Sequence, residues 1–152
     1  MDSKLFSVID TNVLVSALIS KSPTTPPLVV LAHVYSGDIT PVFNDEIIQE
    51  YRDVLSRERF HLDLTDIDNA LRLFLDYGLN LNRTKVDDET FSDPKDIVFY
   101  EVKMSKEDAY LVTGNIKHFP RKPFVVTPRE VPADLWKIDM EFLLDRRPRF
   151  RI

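Results

Sequence analysis

The stretch Leu5-Phe6-Ser7-Val8-Ile9-Asp10-Thr11-Asn12-Val13-Leu14-Val15 decides the fold class. Leu5–Ile9 is an apolar run of strand length, closed by a carboxylate. Asn12–Ser20 follows, with Val13, Leu14, Ala17 and Leu18 recurring at helical spacing. A buried strand feeding directly into a helix opens an α/β unit, and in open α/β sheets ligands bind beyond the carboxyl ends of the strands. Asp10 stands at such an end. It reads equally as the cap of the helix behind it. A carboxylate at a strand end costs folding energy unless something satisfies it.

Outward from that stretch, strand-like and helix-like segments alternate, which predicts an α/β fold with a parallel sheet. The breaker-rich loop Ser22–Pro27 ends in a proline suited to opening a helix over Leu28–Tyr35, stopped by Ser36-Gly37. Ile39–Phe43 is a second strand. Asn44 then caps a helix through Leu55, with Asp45 and Glu46 in its first turn, where negative charge is favoured. Asp63–Tyr77 is a further helix with Gly78 as its stop. Asn80–Ser92 is polar and acidic and reads mostly as loop. Asp93-Pro94-Lys95-Asp96 starts a helix over Ile97–Met104, and Ala109–Thr113 and Phe124–Thr127 are the last strands. The tail from Arg146, with four arginines, is expected to be mobile and solvated.

Composition narrows the chemistry. The 152 residues suit one domain with a sizeable core. There is no cysteine, which excludes disulfides, thiolate zinc sites and a cysteine nucleophile. Only three glycines occur, with no phosphate-binding glycine loop and no Gly-x-Ser-x-Gly elbow. No apolar stretch approaches the roughly 18 residues that span a bilayer, and no secretory signal is visible, so a cytoplasmic protein with no membrane role is expected. The net charge of −5 is the wrong sign for gripping nucleic acid by charge alone. Local basic patches and bound metal would have to do so. Clustered carboxylates are themselves tolerated where a divalent cation neutralises them.

Three acids from distant parts of the chain are candidates for such a cluster. Beside Asp10, Glu50 sits among Ile47, Tyr51, Val54 and Leu55 at the rim of an apolar stripe, whereas Glu46 reads as solvated helix surface. Asp93-Pro94-Lys95-Asp96 is a helix-start signature in which Asp96 can still face a metal. Val112-Thr113-Gly114-Asn115 ends a strand at the same predicted edge; it is either a tight turn or a source of neutral oxygen ligands. Together these would form a hard, oxygen-rich site for Mg²⁺ or Mn²⁺. None of His33, His61 and His118 shows metal-ligand spacing; His33 reads as packed, and His118, close to Lys117, Arg121 and Lys122, as a phosphate contact. An aspartyl-phosphate chemistry at Asp10 lacks the second acid and the lysine it needs.

Four segments in order resemble the PIN domain, a nuclease family, and most closely the bacterial branch of toxin components of toxin–antitoxin systems (VapC-like). They are Ser7–Ala17, Glu46–Leu55, Asp93–Asp96 and Ala109–Asn115, and the resemblance spans Phe6 to Pro128. It implies a single PIN-like domain over residues 3–130, a central parallel sheet flanked by helices in an α/β/α sandwich, with 131–152 as a C-terminal extension. It implies a metal-dependent endoribonuclease in which Asp10, Glu50 and Asp96 are catalytic and hold one or two Mg²⁺ or Mn²⁺ ions, with Asp93 and Asn115 as further ligands. Thr11, Asn12 and Thr113 would orient ligands and waters. Arg52, Lys117, His118 and Arg121 would contact an RNA substrate. A small antitoxin protein and a homodimer are the implied partners. One position departs from the pattern: the fourth segment usually ends in aspartate, and here it is Asn115. The neutral amide lowers affinity at a second metal position, so a catalytically weak or inactive PIN-like domain acting as a protein- or RNA-binding module is the alternative.

Overall fold

The computed structural model describes residues 5–131; the arginine-rich tail lies outside them. Five parallel strands form one sheet in the order β3-β2-β1-β4-β5: β1 Leu5–Ile9, β2 Ile39–Phe43, β3 Leu79–Asn80, β4 Tyr110–Val112 and β5 Val125–Val126. Five helices connect them: α1 Thr11–Ile19, α2 Pro26–Ser36, α3 Asp45–Leu55, α4 Leu64–Tyr77 and α5 Pro94–Lys103. This is the flanked parallel sheet expected from the alternating pattern.

The central strand is apolar because both its faces are covered, as parallel sheets require. Val8 and Ile9 are buried, and the core continues through Leu14 of α1, Val30 of α2, Ile47 and Leu55 of α3, Phe74 of α4 and Phe99 of α5. Helix α5 packs on β1, β2 and β4, while α2 and α4 pack on β2. The aromatic rings of Tyr51 and Phe74 meet edge-on with centroids 5.3 Å apart, locking α3 to α4.

Helix boundaries follow local chemistry. Asn44 accepts from the Ile47 amide at 2.9 Å and caps α3. Asp93 accepts from the Lys95 amide at 2.9 Å and caps α5, whose first residue is Pro94. Gly37 ends α2 in the left-handed region at φ 94°, where its amide meets the carbonyls of His33 and Val34. Gly78 ends α4 for a different reason than a left-handed turn. Its backbone is extended, and a Cβ there would lie 2.6 Å from Phe43 Cε1 and from the carbonyl oxygens of Phe74 and Pro41. The glycine is required by close approach, not by φ.

Among the described residues, four short elements differ from the sequence expectation: one two-residue strand and three turns of 3-10 helix, at Glu58–Phe60, Ile116–His118 and Pro128–Glu130. A two-residue strand, β3, follows Gly78 directly and includes Asn80, where the loop reading began; it is too short to show a period-2 pattern. A turn of 3-10 helix, Glu58–Phe60, lies between α3 and α4.

Candidate active site

The strand order reverses between β1 and β4, and a crevice opens at their carboxyl ends, where sheets of this kind bind ligands. Asp10 ends β1 and is 6% exposed; Thr113 follows β4 and is fully buried. Thr113 Oγ1 donates to Asp10 Oδ2 at 2.7 Å, across the reversal. Asn12 Nδ2 donates to the same oxygen at 3.1 Å, and Asn12 Oδ1 accepts the Gly114 amide at 2.9 Å. The Thr11 amide donates to Oδ1 at 2.9 Å. A carboxylate offers about four lone-pair positions. Three are taken, and one direction on Oδ1 remains. Burial pushes Asp10 above the usual carboxylate range, while the bonds from Thr113, Thr11 and Asn12 and the nearby His118 pull it back. Asp10 therefore caps α1 and faces the crevice at once.

Asp96 comes in from α5. Burial, then the charges of Asp10 and Asp93, push its carboxyl up to about 6; Glu50 adds to the rise and His118 opposes it. Its Oδ2 is buried and has no hydrogen-bond partner among the described residues. His118 Nδ1 lies 3.6 Å from this oxygen, beyond hydrogen-bonding distance. Thr11 Oγ1 is likewise buried and unpartnered.

Glu50 is half-buried on α3. Its neighbour Tyr51 is fully buried, and the Tyr51 hydroxyl donates to the carbonyl of Ile9, the residue before Asp10. Desolvation, reinforced by Asp10, raises the Tyr51 phenol well above its usual range, which keeps it a neutral donor. That bond fixes the helix carrying Glu50 against the strand carrying Asp10. Asn115 donates its backbone amide to Thr113 Oγ1 at 2.9 Å. Glu46, by contrast, pairs with Arg83 at 2.9 Å away from the cleft, as solvated helix surface does.

Asp10, Glu50, Asp93, Asp96 and Asn115 all line one cleft of about 510 Å³, together with Thr11, Asn12 and His118. The family model for the PIN domain matches residues 7–117. This chain belongs to the PIN-domain family. No curated protein and no solved structure matches it. PIN domains are generally nucleases, so the fold is of nuclease type, and those nucleases generally use divalent metals.

The cleft of this PIN domain fits such an ion by the chemistry of its donors. Carboxylate, amide and hydroxyl oxygens are what Mg²⁺ and Mn²⁺ select. The orphaned Asp96 Oδ2 and Thr11 Oγ1 and the open direction on Asp10 Oδ1 are unsatisfied acceptors of the kind a cation would complete. Among the described residues no three acidic or histidine side chains converge closely enough to ligate one ion directly. Mg²⁺ characteristically keeps several waters and uses one or two carboxylates, so this spacing suits ligation partly through water.

The structure does not bring every sequence candidate to the cleft. Thr113 lies beneath it, holding Asp10. Arg52 pairs with Asp68 at 2.9 Å, and Lys117 and Arg121 are exposed but do not line the cleft walls. Three other cations, Arg57, Arg59 and Lys95, do line it. Arg57 lies two residues past the end of α3 in extended backbone, so helical spacing from Glu50 does not place it. Tyr51 gave no signal, because an apolar-patterned tyrosine does not reveal a carbonyl partner 42 residues away.

Proposed function

We propose that this PIN domain is a divalent-cation-dependent endoribonuclease. The observation that carries the reading is Asp96, a half-buried carboxylate with one buried, unpartnered oxygen, raised by burial and then by the charges of Asp10, Asp93 and Glu50 in one cleft. Folding like charges together without a bound counter-charge is unfavourable, and such arrangements mark functional sites. Asp10, Glu50 and Asp96 would hold Mg²⁺ or Mn²⁺, with Asp93 and Asn115 able to contribute at a second position. Bound there, the ion supplies an acidified water for attack on a phosphodiester and offsets charge on the phosphate oxygens.

The chain's own residues do the rest. Thr113, Asn12 and the Thr11 amide oppose the effect of burial on Asp10 and hold its carboxyl in one orientation, so its remaining lone pair points at a fixed place. Tyr51 holds α3, and with it Glu50, in register. His118 lines the cleft half exposed, 3.6 Å from Asp96, where it would contact a phosphate of the strand. Asn115 favours a second reading: as a neutral residue where an acid is usual, it weakens a second metal position and suits a binding module. The proposed setting is that of a toxin held in check by a small antitoxin protein, as a homodimer in the cytoplasm.

Incubation of the protein with mixed structured and single-stranded RNAs in Mn²⁺, Mg²⁺ or EDTA tests this reading. Cleavage that needs the metal and is lost in Asp10→Asn, with the fold intact by circular dichroism, is the expected result. Full activity in a folded Asp10→Asn protein would sink the assignment. No cleavage, with no metal-dependent thermal stabilisation, would move the protein to the binding module.

A further inference from the structure

The cleft has two poles. At one, the N-terminus of α1 brings Asp10, Thr11 and Asn12 to the acids. At the other, its walls are Val15 and Ile19 of α1, Val54 of α3, and Phe60 in the turn that follows α3. Thr11 and Ile19 are eight residues apart on one helix, so the poles are about 12 Å apart. The apolar pole is open: Ile19 is 38% exposed, one of the few large hydrophobic side chains at the surface.

Arg59 stacks its guanidinium over the Phe60 ring, 4.8 Å from the centroid. The 3-10 turn that carries the pair is closed by the His61 amide on the Glu58 carbonyl at 3.0 Å, with His61 in the left-handed region at φ 53°. Arg57 and Lys95 line the same cleft. None of Arg57, Arg59 and Lys95 has a carboxylate partner among the described residues, although the chain carries an excess of acids and four of them share this cleft. Arg52 and Arg83 are paired elsewhere. Cations left open in a cleft with an apolar, aromatic end match what a nucleotide presents: a flat base with a π-face, and flanking phosphates.

We propose that Arg57, Arg59, Phe60 and Lys95 form a nucleotide subsite, in which one unpaired base lies against the Arg59–Phe60 stack and Arg57 and Lys95 hold the adjoining phosphates. The inference rests on the nuclease reading of the carboxylates. It deepens that reading by assigning the side chains of this chain that would grip the unpaired strand. A base in a duplex has both faces covered by its neighbours and cannot enter a pocket walled by α1 and the turn after α3. The separation of the poles means that the held base belongs to a nucleotide beside the one cut, so the subsite governs affinity and choice of strand rather than the chemical step.

The test is fluorescence anisotropy of labelled RNA oligonucleotides with the full chain in Ca²⁺, alongside steady-state cleavage in Mn²⁺. The strands are one unpaired sequence, its duplex, and the same strand carrying abasic positions. Single-strand binding should exceed duplex binding. Arg59→Ala and Phe60→Leu should each weaken single-strand binding about tenfold, the scale of one lost stacking partner. Phe60→Trp should restore it, which a merely structural Phe60 would not do. In cleavage, KM should rise in the weakened variants while kcat holds. The variants should lose little on the abasic strand.

Cleavage with KM unchanged in Arg59→Ala and Phe60→Leu would overturn the subsite and leave the nuclease standing. Binding that depends on both residues, without any metal-dependent cleavage, would support the subsite and sink the nuclease. Failure of every strand to bind, or equal binding of single strand and duplex, overturns the subsite whatever the cleavage shows.

Discussion

Asp96 shows how one residue joins stability to the proposed chemistry. Its carboxyl is raised from 3.8 to about 6, first by burial and then by the acids around it. The folded state therefore holds this proton more tightly than the unfolded chain does. Stability from this group is fully present below the unfolded value, and it is lost as pH rises from about 4 through about 6. In EDTA, Asp96→Asn should remove that loss: the variant should melt above wild type at about pH 8, and the gap should close toward about pH 4. Adding Mg²⁺ or Mn²⁺ should raise the melting point of wild type and not that of the variant. A wild-type curve flat across this range would refute the assigned cause. Tyr51 makes a second prediction at this scale. In Tyr51→Phe the Ile9 carbonyl loses a buried partner, which costs about 1–3 kcal/mol. If the hydroxyl also registers Glu50 against Asp10, the metal concentration for half-maximal cleavage should rise about tenfold or more, as for outer partners of metal ligands. A loss of stability with unchanged metal dependence would make Tyr51 structural only.

At the scale of elements, the first turn of α5 carries two functions in two adjacent acids. Asp93 caps the helix, and its charge also raises Asp96. Replacement separates the two roles. Asp93→Ala should cost about 1 kcal/mol by chemical denaturation, whereas Asp93→Ser, which keeps a capping oxygen, should recover most of it. Neither variant keeps the charge, so metal affinity should fall equally in both if Asp93 contributes there, and in neither if it is only a cap. What could be read from sequence at this scale is what is local. The Leu5–Ile9 run, the Asn44 cap and the Asp93-Pro94 start are each decided by neighbours within a few residues, and those elements form where the pattern puts them. The two-residue β3 is decided by pairing with Val42 and Phe43, more than thirty residues away, and leaves no period to find. Gly78 was legible as a helix stop, but its cause, the crowding by Phe43, Phe74 and Pro41, belongs to the packed sheet.

For the whole molecule, the question is how a chain of net charge −5 holds a polyanion. Long-range attraction is absent, so affinity must come from the few cations at the cleft and from stacking. Asp10 and Asp96 stand at a strand end and a helix start, where the topology directs them to one edge, and Glu50 on the rim of the apolar stripe of α3 comes to the same cleft; that much of the candidate site was legible. The cations that share the cleft depend on how α3, α5 and the turn at Glu58–Phe60 pack together, and none of them leaves a periodic trace in the sequence. This division gives a measurable consequence. Each phosphate neutralised on a single strand contributes about −0.7 to the slope of log affinity against log salt. Two phosphate-holding cations, Arg57 and Lys95, give a slope of about −1.4 for a single strand in Ca²⁺. Arg57→Ala and Lys95→Ala should each flatten it by about 0.7, and Phe60→Leu should lower affinity without changing it, because stacking releases no counterions. A slope far steeper than this in wild type would mean that cations outside the cleft, Lys117 and Arg121 among them, carry the strand. The same titration on Lys117→Ala and Arg121→Ala decides between the two surfaces.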